Sequence, residues 1–132
     1  MVRRALLFLL PALAASGCVA GPKGERGPQL TGTNWAFAEI DGAEPVSALA
    51  ALRFENDRLG ANVGCNGMGG PWHLDKGHLI AGPLISTQMW CEGKMEQERA
   101  VSALLSSAPE VSLKGNRLTL KTGGHSAQLV RK

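Results

Sequence analysis

From Asn34 onward, apolar residues recur at every second position, in short runs separated by clusters of Gly, Asn, Asp and Lys. A period of two places alternate side chains on opposite faces of a strand, so this pattern predicts many short antiparallel strands rather than a helical body. Asn34 to Ile40 alternates with Trp35 and Phe37 on one side, and Leu52 to Phe54 follows before the turn-like Glu55, Asn56 and Asp57. Leu59, Ala61, Val63 and Cys65 share one face of a third run. Trp72 and Leu74 lead into the turn Asp75 to Gly77, and His78 to Ile80 returns. Val111 to Leu113, Arg117 to Lys121 and Ser126 to Arg131 are joined by the hairpin signals Lys114-Gly115-Asn116 and Thr122-Gly123-Gly124. One segment breaks the period. Lys94 to Ala108 carries Ala100, Val101, Leu104, Leu105 and Ala108 at helical spacing, with Glu and Gln assigned to the other side, and Pro109 ends it. Seven or eight strands and one amphipathic helix in about a hundred residues predict a mainly β fold. Such a sheet buries its apolar face most readily by curling into a small lipocalin-like barrel, with the helix closing an end or covering a seam.

The segment before these strands reads as an address. Met1 to Arg4 is a short basic head, and the apolar run Ala5 to Ala15 is too short for a helix to cross about 30 Å of hydrocarbon, so residues 1–17 are expected to be a secretory signal. The cut site Ala15-Ser16-Gly17-Cys18 resembles a bacterial lipobox, which makes Cys18 the expected lipid-attachment residue. Val19 after it, where Asp would be the inner-membrane signal, points to an outer-membrane lipoprotein facing the periplasm. Residues 18–29 then form a lipidated flexible tether with three Gly, two Pro and three charges between Val19 and Gln29. Fully extended it would reach about 35 Å. Residues 30–132 form the one expected domain. The sequence has 14 Lys and Arg against 11 Asp and Glu, and loss of Arg3 and Arg4 with the signal leaves 12 against 11. With no basic cluster interleaved with aromatics, nothing in this balance calls for nucleic acid.

The densest local signal is Gly64 to Trp72, in which four of nine residues are glycine. It is expected to be a strand end that breaks into a shaped corner, with Asn66 beside Gly67 tolerating left-handed backbone. Its natural partner is Thr87 to Cys91. Cys65 and Cys91 could form a disulfide, remain buried thiols, bind a metal, or supply a nucleophile to His73, His78 or His125. An oxidising compartment and an even count after Cys18 is lipidated favour the disulfide. No CxxC or HxxxH spacing supports a metal site or cofactor, and none is expected. Asn66 and Thr87 are expected to tie down the corner's backbone. Trp35 and Trp72 are read as core rings, with Trp90 balanced between core and surface. Gly69 and Gly70 are not a phosphate loop, since no Gly-Lys-Ser/Thr follows.

Several of these residues also carry a family likeness. Leu30 to Trp35 resembles the opening of the META domain, Gly64-Cys65-Asn66 its central motif, Thr87 to Cys91 with Met89 its Thr-x-Met-x-Cys element, and Leu118-Thr119-Leu120 its closing hairpin. Met68 stands where an aromatic is common and Trp90 where Ala is frequent. The resemblance runs from Leu30 to about Val130 and extends to the lipoprotein signal, as in the heat-shock lipoproteins of that family. It implies a small barrel with a helix and no catalytic chemistry. The expected role is therefore a non-catalytic, stress-related binding or structural module of the envelope, held on the membrane by its lipid, with a small apolar ligand or an envelope protein as partner. The competing expectation is an envelope enzyme using Cys65 or Cys91 with a histidine for thiol or hydrolytic chemistry.

Overall fold

The computed structural model describes residues 28–132. The expected signal, Cys18 and all but the last two residues of the tether lie outside the described residues. Leu30 is already buried at 1% exposure. Nine strands and one helix follow: β1 Thr33–Ile40, β2 Ala51–Phe54, β3 Arg58–Asn62, β4 Gly67–Asp75, β5 His78–Ala81, β6 Ile85–Ser86, α1 Met95–Ser106, β7 Glu110–Lys114, β8 Arg117–Lys121 and β9 Ser126–Arg131.

Every pairing is antiparallel. The order runs β3-β2-β1-β9-β8-β7-β5-β4, and pairing of β3 with β4 closes these eight strands into a barrel. The ninth, β6, is the one the alternation did not reveal, because Ile85 and Ser86 are both exposed and carry no period. It pairs with β4 at Gly69 and Met68, beyond the stretch of β4 held by β5. Between β5 and β6 the chain departs from the strand line, so that the Pro83 carbonyl lies 2.5 Å from where a β-carbon on Gly70 would sit.

The interior is filled by the alternating residues the sequence marks. Trp35, Leu52, Phe54, Leu79, Leu118, Leu120 and Leu129 are each at most 1% exposed. Burying an aliphatic or aromatic side chain of this size contributes about 1.5–3 kcal/mol. In β1 a register shift between Phe37 and Glu39 restores Ile40 to the core, where strict alternation would have put residue 39. The weakest seam is between β5 and β7, joined by the single pair His78 and Glu110, and α1 packs against β5 beside it.

The helix buries Ala100, Val101, Leu104 and Leu105 as the spacing predicts. It is shorter than expected. Ser107 closes its last turn onto the Leu104 carbonyl, and Ala108 takes a positive φ of 51° before Pro109, so Ala108 leaves the apolar face and is exposed. The face also contains a residue the sequence reading assigned to solvent. Glu98 is 7% exposed.

A polar corner closed by a disulfide

The corner begins where β3 stops. Asn62 Oδ1 accepts the Gly64 N–H at 2.8 Å, an Asx turn, and Gly64 follows with φ +133°, a conformation that L side chains rarely adopt. Any β-carbon there would also stand 3.1 Å from Ser47 and 3.3 Å from the Lys94 stem. Val63 and Cys65 point inward on either side of this turn, continuing the face set by Leu59 and Ala61. Cys65 is joined to Cys91, with Cα atoms 5.8 Å apart and a sequence separation of 26.

Asn66 is the centre of the arrangement, at 1% exposure. Its Nδ2 donates to the Met89 carbonyl and to Glu98 Oε2, both at 2.9 Å. Its Oδ1 accepts from the Met89 N–H and the Thr87 hydroxyl, both at 2.8 Å. A primary amide has two donors and two acceptor positions, so its side chain is fully used, and the carboxyl on one side against an N–H on the other fixes which end is oxygen. Its backbone N–H donates to Glu98 Oε1 at 2.7 Å. One side chain thus joins the corner, the 87–91 segment and the helix. Thr87 adds its N–H to the Gly67 carbonyl at 3.1 Å, and Lys94 Nζ donates to the Gly64 carbonyl at 3.3 Å.

Of the motif residues, the fold gathers Gly64, Cys65, Asn66, Thr87, Met89 and Cys91. It does not bring Trp72 to them. The glycine-rich run is a turn only as far as Asn66, and from Gly67 it is the nine-residue strand β4. Trp72 lies well along that strand, half-buried, edge-on to Phe54 at a centroid distance of 4.9 Å, with its indole N–H on the Glu55 carbonyl at 3.0 Å. Trp90 is on the surface, 71% exposed beside Met89 at 57%. The residue the motif reading missed is Glu98. Its signal was present in the spacing, because it stands three residues before Val101 and seven before Leu105, on the same face.

The chemistry open to this site is narrow. Both sulfurs are in a bond, and both Glu98 oxygens accept from Asn66. None of the three histidines enters this network. His73 is exposed, His78 Nδ1 lies 3.2 Å from the Lys76 carbonyl, and His125 Nδ1 lies 2.8 Å from Asp41 Oδ2. Burial works to raise the Asp41 carboxyl, but the Ser126 N–H and His125 outweigh it and hold it below its ordinary 3.8. Among the described residues no three His, Cys, Asp or Glu side chains come together as metal ligands.

Comparison with known proteins places this geometry. The family model described as META domain matches residues 28–132. No curated protein matches the chain. A protein solved by NMR is 25% identical over 77% of this chain and 91% of its own, with a TM-score of 0.68. Another NMR structure, of a protein from Burkholderia xenovorans, is 21% identical over 78% of this chain and 83% of its own, with a TM-score of 0.63.

Proposed function

The chain belongs to the META domain family, and from that premise we propose that it is a non-catalytic module of the cell envelope. On this reading lipid at Cys18 holds it on the outer membrane facing the periplasm, and the barrel serves a stress-related binding or structural role toward a small apolar ligand or an envelope protein. The observation that carries the reading is the bond between Cys65 and Cys91. Structural disulfides belong to oxidising compartments, which fits an exported protein. The same bond removes the nucleophile that an envelope thiol enzyme would need.

Two measurements test it. Thiol titration of the native mature protein is expected to find no free thiol until a reductant is added. A reactive free thiol in the native state would overturn the non-catalytic reading. Fractionation of Cys18→Ser is expected to release the protein from the membrane, since acyl chains contribute about 0.8 kcal/mol per buried methylene. A variant that stays with the membrane as the parent does would overturn the anchor.

A further inference from the structure

The barrel's outer wall has a feature that neither the corner nor the core requires. Across β1 to β4 and β6, outward positions line up in a row: Asn34 opposite Arg53, Arg53 opposite Gly60, Gly60 opposite Gly69, and Gly69 opposite Ile85. One row along, Asn62 pairs with both Ala51 and Gly67. The result is a cleft of about 690 Å³ whose floor includes three glycines, Gly60, Gly67 and Gly69.

Each glycine of that floor has a different reason to be there. Gly69 is fixed by packing, since a β-carbon would stand 3.0 Å from the Leu59 carbonyl oxygen. Gly60 makes room for Arg53, whose guanidinium carbon lies 3.0 Å from where a β-carbon would be, so the guanidinium rests on the floor. Gly67 has neither reason. Nothing lies within 4 Å of its missing side chain, and its φ is outside the left-handed region. Glycine weakens a strand, and often marks a place where something approaches the backbone closely. At Gly67 no part of the described protein fills the place a side chain would take.

The rim adds charge and one apolar wall. Arg53, Arg58 and Lys132 line the cleft against the single acidic side chain Glu55, which lies 3.5 Å from Arg53 Nε. The Arg53 side chain keeps 65% of its surface open. Ile85 is 75% exposed at the opposite edge. Cations with free donors favour a carboxylate or phosphate, and an uncovered strip of backbone beside an isoleucine favours a slim apolar body. The cleft is lined along all five residues of β3, about 16 Å, comparable to a medium-length acyl chain.

We infer that this groove binds an anionic amphiphile, a single alkyl chain with a carboxylate or phosphate head. The head pairs with Arg53, over Gly60, and with Arg58, and the chain lies over Gly69 and Gly67 against Ile85. This rests on the non-catalytic binding role and adds to it a ligand class and a site away from the disulfide corner.

The test titrates isotope-labelled full chain carrying Cys18→Ser, so that no lipid of its own competes, with laurate and with dodecyl phosphate below their micelle concentrations. Saturable shifts at the amides of Gly60, Gly67 and Gly69 are expected. Affinity is expected to fall at least tenfold for a neutral alkyl maltoside of equal chain length, and again for inorganic phosphate alone. Arg53→Gln and Gly67→Val should each weaken laurate or dodecyl phosphate at least tenfold, with the melting temperature of Gly67→Val no lower than the parent's, because its side chain enters open space. Trp90→Ala should bind as the parent does. Binding by both heads supports the shared anion chemistry, and a preference for one identifies a fatty acid or a phospholipid as the source. Shifts centred on Met89 and Trp90, equal affinity for the neutral maltoside, indifference to Gly67→Val, or floor shifts that grow with protein concentration alone would each overturn the proposal. Recovery of the dodecyl phosphate as dodecanol would instead leave the groove standing and overturn the non-catalytic reading.

Discussion

Two regions built from one glycine-rich stretch behave in opposite ways. At the corner, Gly64 is fixed twice, by a φ of +133° and by Ser47 and Lys94 standing where a side chain would go. Asn66, two residues on, is held by five hydrogen bonds, to the 87–91 segment and to the helix. Three residues on, at Gly67, the backbone is ordinary strand and the space around it is empty. The difference teaches that glycine density alone does not say what glycine is for. In the first case the conformation demands it, and in the second only the outer surface changes if it is replaced.

The sharpest way to break this contrast is to remove the amide at the corner. Asn66→Ala leaves the Met89 N–H and a buried Glu98 carboxyl without their side-chain partner, at about 1–3 kcal/mol for each buried unsatisfied group, so a loss of about 4 kcal/mol is expected in urea unfolding. A loss below about 1 kcal/mol would mean that water replaces the amide and the corner is not over-determined. Next in size is the disulfide. Releasing a cross-link across 26 residues is expected to cost about 3.5 kcal/mol by chain entropy, out of the 5–15 kcal/mol typical of a domain, and reduction should lower the melting temperature accordingly. Identical melting curves with and without reductant would remove the brace from the account.

Smaller effects sharpen the comparison along β4 itself. Gly70→Ala puts a β-carbon 2.5 Å from the Pro83 carbonyl, a backbone atom that cannot swing aside, and overpacking of this kind costs about 1–3 kcal/mol. Gly67→Ala, three residues away, should cost nothing and stabilise by up to about 1 kcal/mol, since Ala loses less entropy than Gly on entering a strand. If both substitutions destabilise equally, Gly67 has a structural role, and the outer floor is no freer than the corner.

Much of the architecture is legible without coordinates wherever the signal is local. The hairpins through Lys114-Gly115-Asn116 and Thr122-Gly123-Gly124 follow from turn residues flanked by alternation, and β8 and β9 fall on the residues that alternation marks. The inward face of Leu59, Ala61, Val63 and Cys65 and the burial of Ala100, Val101, Leu104 and Leu105 on α1 are likewise read from period alone. The site is legible less completely. Cys65, Asn66, Thr87 and Cys91 could be named, but not Glu98, whose polar identity argued for solvent more strongly than its spacing argued for the core.

The sequence by itself determined the strand-rich class and the single helix, because periodicity and turn chemistry depend only on neighbouring residues. Tertiary structure alone decided that residues 67–71 extend the strand that Trp72 and Leu74 mark. Glycine has low intrinsic preference for that state, and β4 is strand because β3 holds one edge while β5 and β6 hold the other. It likewise decided that Trp72 lies against Phe54 while Trp90 faces solvent, and that Ile85 and Ser86 pair at all. Each of these depends on which distant segment supplies the hydrogen bonds or covers the ring, and that is set only when the barrel closes.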